Sequence, residues 1–429
     1  MNKNAISFAE AFRFWLKLGF ISFGGPAGQI AIMHRVVVDE RKWIDESRFL
    51  HALNFAVLLP GPEATKLATY VGWLLHGTRG GLAAGILFVL PGALVMLGLS
   101  ILYALGRGIA AVDGALYGIK AAVLVIVVEA LLRIGRRALR TRFLIAIAAA
   151  AFIGIFFMAV PFPLIVLAAG VAGFFTTVAG VALGAPPPPG RWRHAGLAAA
   201  SGLALWCAPV LAAVLLLGAS HVLVDIGLFF SKLAVVSFGG AYALLAYMAQ
   251  QVVESYHWLS APEMVDGLGL AETTPGPLIL VTQFVGFLAA QRQPAPFEPL
   301  AAGVLGAAMT TWVTFVPPIA LIFAAAPFVE QLRGSERLSG ALAAITAAVV
   351  GVILNLTVWF ALHVLFGRIT EARAGPLRWY AFDPLALDPK VSALALIAAV
   401  LAFALKRGLV ELVLVMAALG AALRLALPV

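Results

Sequence analysis

The sequence predicts an all-α integral membrane protein, a polytopic helical bundle of two inverted-topology repeats with broken or re-entrant helices. Three observations carry that prediction. Only 11% of the 429 residues are charged, 62% are hydrophobic and the mean hydropathy is +1.02, whereas a soluble domain is about one quarter charged. Apolar runs recur along the whole chain, many of them about 18 residues or longer with few charges, the length of a spanning helix. Finally, Lys17 to Pro62 aligns without a gap to Lys232 to Pro277, an offset of 215 residues.

The apolar segments fall roughly at 8–33, 52–75, 81–104, 114–133, 143–159, 162–183, 196–218, 222–250, 264–290, 299–328, 338–366, 391–405 and 408–427. At 1.5 Å per residue, about 20 residues cross the hydrocarbon. Two pairs are short helices, split by Pro161-Phe162-Pro163 and by Lys406-Arg407-Gly408. The tract from Ala185 to Arg193 is polar and proline-rich and cannot continue a helix. It divides the chain into an N-terminal repeat (1–183), a linker (184–195) and a C-terminal repeat (196–429). The N-terminus reads as a retained first segment, because no small-residue cleavage site follows a short apolar core. The single cysteine, Cys207, lies in an apolar run and reads as a small core or lipid-facing residue.

The repetition preserves the residues that interrupt helices. Ser22-Phe23-Gly24-Gly25 matches Ser237-Phe238-Gly239-Gly240, and Pro60-Gly61-Pro62 matches Pro275-Gly276-Pro277. Further on the offset becomes 226, where Pro91 matches Pro317 and Gly114-Ala115-Leu116 matches Gly340-Ala341-Leu342. Loop charges set the relative orientation. The loop 33–51 carries Arg35, Arg41, Lys42 and Arg48, whereas its counterpart 248–266 carries no Lys or Arg. The positive-inside rule places them on opposite sides, so the repeats are inverted. The cluster Arg133, Arg136, Arg137, Arg140 and Arg142 is also cytoplasmic by this rule, with Glu129 and Arg133 at ion-pair spacing. Three apolar segments separate Arg48 from Arg133. Both can be cytoplasmic only if one segment enters and returns, and the segment broken at Pro60-Gly61-Pro62 is the candidate. The loop 367–390 carries Arg368, Arg373, Arg378 and Lys390 yet is expected outside, so it fits the rule poorly.

A break inside the membrane exposes N–H and C=O groups that lipid cannot satisfy, so it must be buried in protein or face a wet cavity. A helix restarting after a break points free N–H groups and about half a positive charge into the gap. Proline suits the first helical position and glycine permits close approach. Four breaks in register therefore point to an anion, and a tetrahedral dianion offers acceptor oxygens to such donors. Candidate binding residues are Ser22, Gly24, Gly25, Pro26, Gln29, Pro60, Gly61, Pro62, Lys66, Ser237, Gly239, Gly240, Tyr242, Pro275, Gly276 and Pro277, with Thr273, Thr274 and Gln283 as further donors. Lys17 and Lys232 occupy equivalent positions before the Ser-Phe-Gly-Gly motif. They read as cation partners or as lysines snorkelling to the interface. Glu63 and Glu272 flank the breaks. An acid beside an anion site suggests proton coupling, although Glu63 also suits the first turn of a helix.

Several chemistries are excluded. There is no G-x-x-x-x-G-K-[ST] phosphate loop, so ATP drive within this chain is not expected. The seven histidines form no pair at ligand spacing, so neither a metal site nor a cofactor is expected. The net charge of +9 sits in short loops and does not interleave with aromatics, which argues against nucleic acid. An intramembrane enzyme would need a nucleophile or an acid pair. Only Glu63 and Glu272 approach that, without an oxyanion constellation.

Long motifs in both halves resemble the chromate ion transporter family in its long, two-domain form. In the first half they are FGGPAGQIAIMH (23–34), VVDERKWIDESRFLHALNFAVLLPGPEATKLATYVGWLLHGTRGG (37–81) and LFVLPGAL (87–94). In the second they include FGGAYALLAYMAQQVVE (238–254), WLSAPEMVDGLGLAETTPGPLILVTQFVGFLA (258–289), TFVPPIALIFAAAPF (314–328) and AAVVGVILNLTVWFA (347–361). The resemblance implies a bacterial inner-membrane secondary transporter that exports chromate, driven by membrane potential or a proton gradient. The implied partners are chromate or a sulfate-like oxyanion, the lipid bilayer and protons, with a homodimer as a compatible assembly. A sulfate-type oxyanion carrier or importer is the alternative.

Overall fold

The computed structural model describes residues 6–23, 25–176, 191–237, 241–326, 336–367, 369–375 and 377–426. The first half contains α1 (Phe8–Ile21), α2 (Gly25–His34), α3 (Glu46–Leu58), α4 (Glu63–Gly106), α5 (Ala110–Ala138), α6 (Arg142–Met158) and α7 (Phe162–Thr176). Then follow α8 (Arg191–Leu217), α9 (Val222–Val236), α10 (Ala241–Gln250), α11 (Ala261–Thr273), α12 (Val281–Arg292), α13 (Pro299–Ala325) and α14 (Glu336–Leu365). The strands β1 (Ile369–Ala374) and β2 (Leu377–Phe382) precede α15 (Pro389–Ala399) and α16 (Leu409–Ala426). Nearly every apolar segment read from the sequence is a helix or a broken pair of helices. Among the described residues, α4, α5, α8, α13, α14 and α16 are long and apolar enough to cross a membrane. The chain is thus an all-α polytopic membrane protein, and large apolar side chains such as Leu105, Phe175 and Leu216 are exposed on its surface, as lipid contact requires.

Several elements differ in detail from the expectation. The part of the expected linker up to residue 190 lies outside the described residues. From Arg191 the chain is already helical, because no proline follows until Pro209. Helix α4 is two limbs. His76 (φ −138°) and Gly77 (φ 60°) leave helical geometry, and the limbs then pack through Gly72 and Gly80. The loop 367–390 holds an antiparallel hairpin, with Arg373 opposite Arg378 and Glu371 opposite Tyr380. Two loops share one unusual turn. Helices α2 and α10 each run into a π-turn, at Arg35–Glu40 and Gln251–Ser255. Each is followed by a left-handed residue, Lys42 (φ 52°) and His257 (φ 51°), which the sequence aligns with one another.

The chain divides into two compact units. The first comprises Met1–Ser100, Gly180–Ala241 and Thr274–Ser335. In it, α13 packs on α8, α9 and α12. Gly286 of α12 meets Gly306 and Thr310 of α13 so closely that no Cβ fits, the small-residue contact by which helices associate in lipid. The second unit comprises Ile101–Ala179, Tyr242–Thr273 and Glu336–Val429. Its centre is α5, packed against α11, α14, α15 and α16, with Gly114 and Gly118 seated on Gly420. Its α14 also packs on α6 and α7.

Candidate functional site

The helix interruptions lie in the first unit. Helix α1 ends at Ile21, and α2 restarts at Gly25 (φ 71°) with Pro26 in its first turn. Helix α3 ends at Leu58, Leu59 to Pro62 are non-helical, and α4 starts at Glu63. Helix α9 ends at Val236, and α10 starts at Ala241. Thr274 to Pro277 separate α11 from the 3-10 turn that opens α12. Gly61 (φ 106°) and Gly276 (φ 88°) occupy the left-handed region, which explains glycine between two prolines at both places.

The breaks close on one another in exchanged pairs. Gly276 N–H donates to the Ser22 carbonyl at 2.8 Å, and Gly61 N–H donates to the Ser237 carbonyl at 3.0 Å. Ser22 and Ser237 are aligned by the sequence offset, as are Gly61 and Gly276. So the serine break of each half caps the Pro-Gly-Pro break of the other. Packing follows the same exchange. A Cβ on Gly61 would lie 2.5 Å from Pro318 Cβ, while a Cβ on Gly92, the residue aligned with Pro318, would strike the Pro275 carbonyl. This answers part of the problem a break poses in lipid, since these break amides and carbonyls find partners inside protein.

Two polar side chains complete the closure. Gln29, 1% exposed, donates from Nε2 to the Gly276 carbonyl at 2.6 Å and to the Ser22 carbonyl at 3.4 Å. Lys66, equally buried, donates from Nζ to the Leu59 carbonyl at the end of α3. A cation there complements the negative end of α3. Glu63 stands one turn before Lys66 in the first turn of α4, where the helix dipole favours an acid. The first unit also holds buried donors with no hydrogen-bond partner among the described residues, namely Ser22 Oγ, Thr65 Oγ1, Thr314 Oγ1 and Trp15 Nε1. Thr65 is three residues past Pro62 and Thr314 one turn before Pro318. Each such orphan costs roughly 1–3 kcal/mol. No group of His, Cys, Asp or Glu among the described residues could hold a metal.

Of the residues singled out in the sequence, Ser22, Gln29, Pro60, Gly61, Pro62, Lys66, Ser237, Pro275, Gly276 and Pro277 belong to this set of interruptions. Gly24, Gly239, Gly240 and the Tyr242 side chain lie outside the described residues. Lys17 and Lys232 are exposed. Gln283 donates to the Ala93 carbonyl at 2.9 Å and accepts from Thr311. Thr273 bonds its own helix at the Leu270 carbonyl, 2.7 Å away. Glu272 is buried in the last turn of α11, in the second unit. Thr65 and Thr314 were missed. A hydroxyl one turn from an intramembrane Pro-Gly-Pro or Pro-Pro is the signal that marks them.

Broken helices that cap each other, with a buried lysine on one of the broken helices, stand within an apolar helical membrane protein. The comparisons with known proteins make that class specific. The chain belongs to the chromate transporter family, whose model, described as "Chromate transporter", matches residues 9–174 and 224–423. It is 33% identical over 368 residues to a chromate transport protein of Pseudomonas aeruginosa, covering 82% of this chain and 81% of the relative. It is 28% identical to a probable chromate transport protein of Synechococcus elongatus, over 82% of this chain and 84% of that one. It is also 28% identical to a chromate transport protein of Cupriavidus metallidurans, over 80% of each. No solved structure matches the chain. The relatives are transporters, so the chain is a transporter and not an intramembrane enzyme.

Proposed function

We propose that this chain exports chromate across the bacterial inner membrane as a secondary transporter, with the anion held at the interrupted helices. The observation that carries this reading is the exchanged closure of the breaks, with buried hydroxyl donors and Lys66 beside it. An oxyanion accepts hydrogen bonds and donates none, which is what Ser22, Thr65 and Lys66 suit. The helix starts at Gly25 and Glu63 add partial positive charge. Because Gln29 and Lys66 already bond break carbonyls, the anion binds by exchanging these bonds for its own. That exchange opens the closure between halves and supplies a differential contact for alternating access. Glu63 and Glu272 are the carboxylates of this reading that carry coupling protons. The repeats are inverted, the 1–183 and 196–429 halves rocking against each other, and the exposed Lys17 and Lys232 snorkel to the membrane surface.

The test is intracellular chromate in cells with and without the gene, together with chromate flux into proteoliposomes in the presence and absence of excess sulfate. Export lowers intracellular chromate, and Gly276→Leu abolishes the effect while the protein still inserts. Raised accumulation would reverse the direction, and block of chromate flux by the excess sulfate would make a general dianion the substrate. Chromate flux by Gly276→Leu and Gly61→Leu equal to wild type would remove the breaks from the binding site.

A further inference from the structure

The second unit contains a buried carboxylate that none of the readings above employs. Asp266, in the middle of α11, is 1% exposed. Its Oδ1 lies 3.1 Å from Lys120 Nζ on α5, and its Oδ2 accepts from the Tyr103 hydroxyl at 2.9 Å. Arg107 donates to the same hydroxyl at 2.6 Å and lies 3.6 Å from Asp266 Oδ2. Asp113, at the start of α5, stands 3.8 Å from Arg107 Nε. Glu263, one turn before Asp266 and capped onto Ser260, also acts on Tyr103. Exposure falls along this chain of groups. The Arg107 side chain is 50% exposed, Asp113 32%, Lys120 22% and Asp266 1%. The row therefore leads from water at its outer end to a carboxylate sealed inside.

A merely structural ion pair is a poor explanation for this arrangement. Burying two charges costs more desolvation than a single pair returns, and apolar replacements are often as stable. The network is also one-sided. The aligned position of Asp266 is His51 and that of Lys120 is Thr346, so the symmetry-related pair, His51 and Thr346, is not an acid–base pair. Helix α11 runs in the chain directly into Pro275-Gly276-Pro277. Gly269, one turn after Asp266, sits on Ile119 and Val123 of α5, so this face of α11 is pressed against α5.

We propose that Asp266 is a further proton-exchanging carboxylate of this carrier, needed for coupling alongside Glu63 and Glu272, with Lys120 as its fixed counter-charge and Arg107, Tyr103 and Asp113 as the aqueous path to it. This inference rests on the carrier reading above. In the loaded step one proton passes from water along the path to an Asp266 oxygen, and Lys120 keeps its own. The cluster gains one positive charge, the α5–α11 attraction is lost, and α11 is released from α5. Return of the proton to water restores the pair. Protonation thus biases a two-state contact at the base of the helix that ends in a break.

The experiment uses full-length protein in proteoliposomes, with labelled chromate and an entrapped pH dye. Two fluxes are read: chromate exchange at equal concentrations without a pH gradient, and net chromate accumulation driven by a pH gradient. Asp266→Asn should keep exchange and lose both driven accumulation and the chromate-dependent proton signal. Asp266→Glu should restore them. Because Asp266→Asn strands a buried Lys120, the paired variant Asp266→Asn/Lys120→Met serves as the folding control and should show the same split. Driven accumulation at the wild-type level in Asp266→Asn overturns the proposal. So does a paired variant that folds but has lost exchange as well, and so does wild-type exchange that ignores a pH gradient. Wild-type protein without any chromate exchange would instead overturn the carrier reading itself.

Discussion

Gln29 shows how much a single amide can hold. One Nε2 serves the carbonyls of Ser22 and Gly276, which come from opposite halves of the sequence. Gln29→Ala should lower stability by about 1–3 kcal/mol, because a buried acceptor then loses its donor. A thermal melt in detergent checks this. Gln29→Glu should be worse, since it faces two carbonyls with an acceptor. Lys66 makes the converse case. Lys66→Met should leave the protein inserted and eliminate chromate flux, and Lys66→Arg should retain part of it, read as initial rates in proteoliposomes. Stability loss with unchanged flux in Lys66→Met would reduce this lysine to the cap of α3. Both residues were visible in the sequence as polar groups near breaks. The contact of Gln29 with Gly276 was not, because that carbonyl lies in a distant segment whose approach no local pattern encodes.

At the scale of elements, the hairpin β1–β2 is held by one buried guanidinium. Arg378 of β2 is 2% exposed. It donates to the Ile155 carbonyl at 2.7 Å, the Phe156 carbonyl at 3.2 Å and Glu254 Oε2 at 3.2 Å. It thereby caps the end of α6 and pins the π-turn after α10. Burial raises the pKa of Glu254 above the ordinary carboxylate value, against the opposing pull of Arg378. The native state thus holds the Glu254 proton more tightly than the unfolded chain does. The contribution is full below the unfolded carboxylate pKa and is lost as pH rises through the raised native one. Melting curves across that acidic range should show stability falling as pH rises. Arg378→Ala should destabilise by about 2 kcal/mol by orphaning these acceptors, and should extend the fall to higher pH. Arg378→Lys should not rescue it, because an ammonium lacks the planar fork. The positive residues of this loop contradicted a simple charge rule, and here the structure supplies a reason. Arg378 is not a loop charge facing water but a buried cap. Helices were legible from apolar run length, and their interruptions from glycine and proline. The hairpin was not legible, since twelve residues of mixed charge carry little periodic signal.

For the whole molecule, the sidedness of the two repeats is the property to measure. The loops 33–51 and 248–266 share a π-turn and a left-handed residue, yet only the first is basic. With the exposed Cys207 replaced by serine, single cysteines at Arg41 and His257 should react with an impermeant thiol reagent from opposite sides. Labelling of both from one side would make the repeats parallel. The repeat offset was plain in the sequence because prolines and glycines kept their spacing. The exchange of contacts between halves was not, because an alignment pairs equivalent residues and says nothing about which of them meet.

The exchanged hydrogen bonds also set a timetable for making the protein. The Ser22 carbonyl waits for the Gly276 amide, which the ribosome adds 254 residues later. At roughly 5–20 residues per second, that delay is on the order of 10–50 s. During it the nascent first half holds an interrupted helix with no partner of its own. The insertion machinery must therefore shelter that segment from lipid until the second half emerges. A ribosome stalled before Gly276 should display an N-terminal half still bound to its insertase, and release should follow once the last break is synthesised.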